Sequence, residues 1–150
     1  MQTTGSFTKR KAVITILVFA AVILLLIGIK TLCSKPGGGD DFSTLDGRES
    51  FLKSFGWEID RSSEEYHTVV IPDSLDGIMA QYNRMQQAQG YDLSKHLGES
   101  CQQYTYKLTN YSGSNETVLV TLYIQNNDVI AADIHTTSKN GFMHGLKTGN

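Results

Sequence analysis

The chain has 150 residues, with 13 Lys and Arg against 15 Asp and Glu, 40% apolar residues and two cysteines. Those averages exclude a disordered chain, a disulfide-framework miniprotein and a basic nucleic-acid binder, so no nucleic acid is expected as a partner. They also conceal a segregation: residues 1–35 carry five cations and no acid, while the rest carry eight cations and all fifteen acids, so +5 and −7 give the net −2.

Residues 1–11 read as a short tail ending in Lys9, Arg10 and Lys11. From Ala12 to Ile29 only Thr15 and Gly28 interrupt sixteen apolar residues. At about 1.5 Å rise per residue this block spans roughly 27 Å, close to the hydrocarbon core of a bilayer. The segment 12–33 is therefore expected to be a single transmembrane anchor, with the lipid bilayer as the partner of residues 12–29. A cleaved signal peptide is the competing reading, but Gly28-Ile29-Lys30-Thr31-Leu32-Cys33 is a poor cleavage site. The contiguous cations orient the tail to the cytoplasm and the following domain to the outside. The expected location is thus the cell membrane, single-pass.

Residues 34–43, with Gly37-Gly38-Gly39 and two aspartates, read as a flexible linker. Residues 44–147 then suffice for one core, and 148–150 are a tail. Asp46, with Glu49 three residues on, is expected to cap a first helix that presents Phe51, Leu52 and Phe55 inward and stops at Gly56. Trp57-Glu58-Ile59 reads as a short strand, Asp60–Glu65 as a polar connection, and His67–Ile71 as a second strand ended by Pro72. Asp73 or Ser74 is expected to cap a second helix burying Leu75, Ile78, Met79, Tyr82 and Met85, with Gly90 closing it. Asp92–Leu97 reads as one more helical turn.

From Gln102 to His135 the period becomes two. A turn over Tyr111–Asn115 sets Tyr104, Tyr106 and Leu108 opposite Leu122, Val120 and Val118. Two connections fit the next hairpin. A three-residue loop, Asn126–Asp128, pairs Ile124 with Ile130, Leu122 with Ala132 and Val120 with Ile134. A two-residue Asn126-Asn127 turn brings Asp133 to that face unless a bulge at Ala131-Ala132 restores the parity. The expected fold class is α+β: after the transmembrane helix, two main helices pack on an antiparallel sheet, in the order α-β-β-α-β-β-β.

No phosphate loop, dinucleotide fingerprint, nucleophile elbow, zinc spacing or calcium loop occurs, and no cofactor is expected. Asp133 and His135 share a strand face, and His144 lies in Gly141-Phe142-Met143-His144-Gly145, which could fold back on them. Two imidazoles and a carboxylate suit zinc, so these three are the candidate binding and weak metal-site residues. The plainer reading makes Asp133 a backbone tether and His144 a turn cap. His67 and His96 read as exposed, and Cys101 as a buried small hydrophobe. Tyr91, Tyr104 and Tyr111 are candidates for an aromatic binding rim.

Phe51-Leu52, Gly56-Trp57-Glu58, Ile71-Pro72, Tyr82-Asn83 with Gln86, Gly90-Tyr91-Asp92-Leu93-Ser94, Tyr104-Thr105-Tyr106, Thr109-Asn110-Tyr111 and Gly141–Gly145 together resemble the uncharacterised DUF4830 family. The resemblance implies a single-pass envelope protein of a Clostridia-type Gram-positive bacterium. The resemblance covers most of residues 45–146 and implies an envelope location, with no activity or catalytic residue to carry over. The chain departs from it at Ala131-Ala132, where the family carries glycines before the aspartate.

The anchor and stalk favour a non-enzymatic extracytoplasmic module that binds or regulates an envelope protein partner. One alternative is a metal-dependent or other small enzyme site around Asp133, His135 and His144. Another, by fold analogy, is a regulator of an envelope protease of the PepSY kind, for which a sheet edge or groove accepting a peptide would speak.

Overall fold

The structure, a computed structural model, describes residues 40–147. The segments expected to be a tail (1–11) and an anchor (12–33), most of the expected linker, and residues 148–150 lie outside the described residues. No helix among the described residues is long and apolar enough to cross a membrane.

The elements run α1 (Leu45–Ser54), β1 (Ile59–Val70), α2 (Gly77–Gln89), a 3-10 turn (Leu93–Lys95), β2 (Ser100–Leu108), β3 (Val118–Gln125), β4 (Asp128–Thr136) and β5 (Met143–His144). The five strands form one antiparallel sheet in sequence order, so the domain is α+β with two helices on a meander. The α1 cap is Thr44, whose hydroxyl accepts from Gly47 N, and Asp46 instead occupies the first turn, where an acid still complements the helix dipole. Phe51 and Leu52 are buried as expected. Asp76 precedes α2, three residues after the expected Asp73, and Gly90 closes the helix in the left-handed conformation (φ 96°).

The expected pair of short strands is one twelve-residue strand. A register shift between Asp60 and Glu65 absorbs the polar residues, and β1 lies at the edge of the sheet, where no apolar alternation is required to hold it. The element order is accordingly α-β-α-β-β-β-β.

The central hairpin has the register read from the sequence: Tyr104 faces Leu122 and Tyr106 faces Val120. The next one combines the two connections considered. Asn126 and Asn127 form a two-residue turn with φ of 50° and 63°, pairing Gln125 with Asp128. A shift between Tyr123 and Ile124 then inserts Ile130, one residue ahead of the expected bulge site, and restores Leu122 opposite Ala132 and Val120 opposite Ile134.

The two faces carry separate cores. On the first, Leu52, Phe51 and Phe42 pack on Tyr106, Val120, Leu122, Ala132 and Ile134. On the second, Ile71, Leu93, Cys101, Ile130 and Ala131 cluster with Val69, Tyr82 and Tyr123. Cys101 is a buried free thiol, and burial pushes its pKa up.

Candidate functional site

The position of α2 on the second face is set by amides. The Gln86 side chain is fully buried; its Nε2 donates to Ala132 O (3.0 Å) and its Oε1 accepts from Ala132 N (3.0 Å). Gln86 thereby treats the outer edge of β4 as a neighbouring strand would. Gln89 continues the seam, with Nε2 donating to Ala132 O (2.9 Å) and Oε1 accepting from Leu146 N (2.7 Å). A Cβ at Gly145 would run into the Gln89 side chain, which accounts for the last glycine of Gly141–Gly145. Asn83 accepts from Leu93 N (2.8 Å) and donates to Asp92 (3.1 Å), fixing the 3-10 turn. The Ser94 hydroxyl, the Asn83 amide and Ser94 N–H hold the Asp92 carboxyl down to about 2.

With polar residues spent on the contact, the apolar stripe of α2 is left beside it. Ile78, expected in the core, is 83% exposed, and Met79 and Met85 are only half-buried. These side chains form one wall of a groove of about 640 Å3, with Val69, Val70, Ile71 and Pro72 from the end of β1 opposite and Gln103, Tyr123 and Met143 on the sheet. Val70 and Met143 are also more than half exposed, at 63% and 52%. An apolar cleft with the Gln103 amide and the Tyr123 ring on its floor suits an apolar segment with a few polar atoms to satisfy.

Beneath α2, Tyr82 donates to Asp133 Oδ2 (2.7 Å), and His135 Nδ1 lies 2.7 Å from Asp133 Oδ1. Burial first, and the Asp133 charge second, raise the Tyr82 pKa strongly, so the phenol stays a donor. A carboxylate oxygen can only accept, so His135 Nδ1 carries the proton and leaves Nε2 as acceptor in the neutral ring. Asp133 and His135 are thus a pair, as their shared face implied.

His144 does not join them. It pairs with Ile134 in β5 and so points to the opposite face of the sheet from Asp133 and His135. There its Nδ1 lies 2.7 Å from Gly145 O and its Nε2 3.0 Å from the Tyr111 hydroxyl. Among the described residues no three His, Cys, Asp or Glu side chains gather in a metal-binding group. The zinc set considered from the sequence is therefore divided by the sheet.

The three rim tyrosines also have separate settings. Arg48 Cζ lies over the Tyr104 ring, 3.8 Å from the ring centroid, and Tyr104 stacks on Tyr66. Tyr111 stacks between Trp57 and Phe142, with His144 alongside. Tyr91 packs against the main core, and burial pushes its hydroxyl up to about 12.

The sequence reading passed over the buried Arg48, which donates from Nε to Tyr106 Oη (2.6 Å), from Nη1 to Phe42 O (2.7 Å) and from Nη2 to Glu64 Oε2 (2.8 Å). Tyr106 in turn donates to Glu64 (2.6 Å). Burial pushes the Glu64 carboxyl up, but the Tyr106 hydroxyl and the Arg48 guanidinium outweigh it and leave the pKa lowered. Arg48 stands three and four residues before Phe51 and Leu52, and that spacing was the available signal for its burial.

The model of a domain of unknown function, DUF4830, matches residues 51–134, more than half of the chain. The chain belongs to the DUF4830 family. The matched span of this DUF4830 domain runs from α1 into β4 and includes all of α2, hence most of the groove, while Met143 lies beyond it. No curated protein and no solved structure matches the chain.

Proposed function

We propose that the chain is a membrane-anchored envelope protein whose extracytoplasmic DUF4830 domain binds a partner protein, non-enzymatically, through the groove beside α2. The observation that carries this reading is the apolar wall of Ile78, Met79 and Met85. These residues are held out of the core by a helix whose own contacts are made with Asn83, Gln86 and Gln89. Anchor-like residues 12–29 and the glycine linker support tethering at an outer membrane surface, and the family resemblance supports a bacterial envelope. A regulator of an envelope protease, of the PepSY kind, draws on the same groove and on the open β1 edge beside it.

The test places a photo-crosslinking amino acid at Ile78 or Met143 of the full chain in its native cells. One dominant adduct is expected, lost when Met79→Asp puts a charge in the groove, and accessible to protease added outside the cell. No adduct above that from exposed Asn115, or an adduct indifferent to Met79→Asp, refutes the groove as the site.

A further inference from the structure

We infer that the outer edge of β1 is a self-association surface, where a second copy of this chain pairs antiparallel with Thr68 opposite Thr68. Among the described residues no strand covers this edge. Ile71 N donates to Glu99 O (2.9 Å) and Ile71 O accepts from Gly98 N (3.0 Å), so Ile71 faces β2. Backbone direction alternates along a strand, and no register shift intervenes from Glu65 to Val70. The N–H and C=O groups of Tyr66, Thr68 and Val70 therefore point away from the sheet. Tyr66-His67-Thr68-Val69-Val70-Ile71 holds no acid, lysine, arginine, proline or glycine, whereas Glu64 and Glu65 precede it and Pro72 follows. Such a run on an open edge is a template for another strand, and its flanks limit the template to a few residues.

The partner is selected by what each register brings together. With Thr68 opposite Thr68, Tyr66 of each copy faces Val70 of the other. The two exposed large hydrophobics of the strand, 62% and 63% exposed, then cover one another as aromatic and β-branched pairs. Glu65 falls opposite Ile71 and Glu64 opposite Pro72, so no like charges meet. Centring on Val69 would instead set Glu65 against Asp73, and centring on His67 would set Glu64 against Val70 and one imidazole against the other. The Thr68 register also uses the outward groups of Tyr66, Thr68 and Val70 as hydrogen-bonded pairs in both copies. A two-fold axis perpendicular to such a joined sheet puts both grooves on the same side of the assembly, since Val69 and Ile71 lie on that face in each copy.

The test uses the full chain with Cys33→Ser and Thr68→Cys, oxidised in the membrane. Hydrogen-bonded pairs place Cα atoms about 5.5 Å apart, within disulfide reach, so a linked dimer is expected, with none from an Asn115→Cys control. In detergent, sedimentation should give twice the monomer mass for the unmodified chain. Thr68→Pro, which removes an N–H not used within the sheet, should halve that mass, and Tyr66→Lys, outside the groove, should do the same without touching the backbone. A monomeric unmodified chain overturns the inference, as does a dimer that survives both substitutions or a Thr68→Cys chain that crosslinks no better than the control. Loss of the dimer with the Ile78 adduct intact separates this surface from the groove.

Discussion

Gln86 gives the sharpest energetic test of how the groove is built. In Gln86→Leu the volume is nearly kept, but Ala132 N–H, in a residue with no exposed surface, loses its acceptor. Leaving a buried donor unpaired costs about 1–3 kcal/mol, and the lost bond to Ala132 O adds about 0.5–1.5 kcal/mol, softened because Gln89 still donates to that oxygen. Leucine regains part of this by apolar burial, leaving a net cost of about 2 kcal/mol, a substantial share of the roughly 5–15 kcal/mol of a typical domain. Urea unfolding of the detergent-solubilised full chain reads it through Trp57, whose indole donates to Leu146 O beside the same seam. Gln81→Leu, on the exposed side of α2, is the control. A Gln86→Leu loss below about 0.5 kcal/mol, or one no larger than the control, would refute the claim that the amide seam fixes the helix. Gln86→Glu sharpens the test, because one carboxyl oxygen would face the Ala132 carbonyl and the buried acid must stay protonated. Its folded pKa then lies above the unfolded value of roughly 4.3. The variant should be most stable below that pH and should lose stability as pH rises through the folded pKa.

The Glu64 carboxylate titrates in the opposite sense. Its lowered folded pKa contributes stability present above the unfolded value and lost as pH falls through the folded one. Glu64→Gln should therefore cost about 1–3 kcal/mol at neutral pH, and the gap to the unmodified protein should close on acidification; a pH-independent gap would contradict this. In the β3–β4 turn, Asn127 has φ 63°. Asn127→Val should cost about 1–2 kcal/mol through left-handed strain, while Asn127→Gly should cost nothing measurable; equal thermal midpoints for the two would refute the turn assignment.

What the sequence disclosed depended on whether apolar periodicity was what located each element. In β2 and β3 it was: alternate residues fill one core, so the pairing of Tyr104 with Leu122 and Tyr106 with Val120 followed from period and turn length. For β4 the same pattern left two connections open, because a bulge can be inserted wherever parity allows, and Ile130 absorbed it. Periodicity failed for β1, an edge strand mostly exposed along its length, whose polar middle read as a loop. It failed more instructively for α2. The helical spacing of Ile78, Met79, Tyr82 and Met85 was real, but the buried positions are Asn83 and Gln86, whose partners are backbone atoms that leave no trace in a hydropathy pattern. The site residues divided in the same way. Asp133 and His135 followed from strand alternation, whereas the face taken by His144 depended on β5 pairing it with Ile134.

The orientation of α2 and the exposure of its apolar stripe have one cause. β5 has two residues and pairs only with Ile134 and His135, so the outer edge of β4 is open at Ala132 unless something else occupies it. An open N–H and C=O there would be buried without partners or would invite a foreign strand. Gln86 and Gln89 close the gap, and they can do so only if the helix presents that face to the strand. Rotating α2 to bury Ile78 and Met85 more deeply would turn Gln86 away from Ala132, since Gln86 follows Met85 by about 100° around the helix. The groove is thus the counterpart of a closed edge at β4, while β1, at the other side of the sheet, has no such closure among the described residues and carries Tyr66 and Val70 in the open. A sheet that seals one edge with a helix and leaves the other uncharged and unpaired over Tyr66–Ile71 has a direction in which to grow, and the Val69–Pro72 wall of the groove stands at that end.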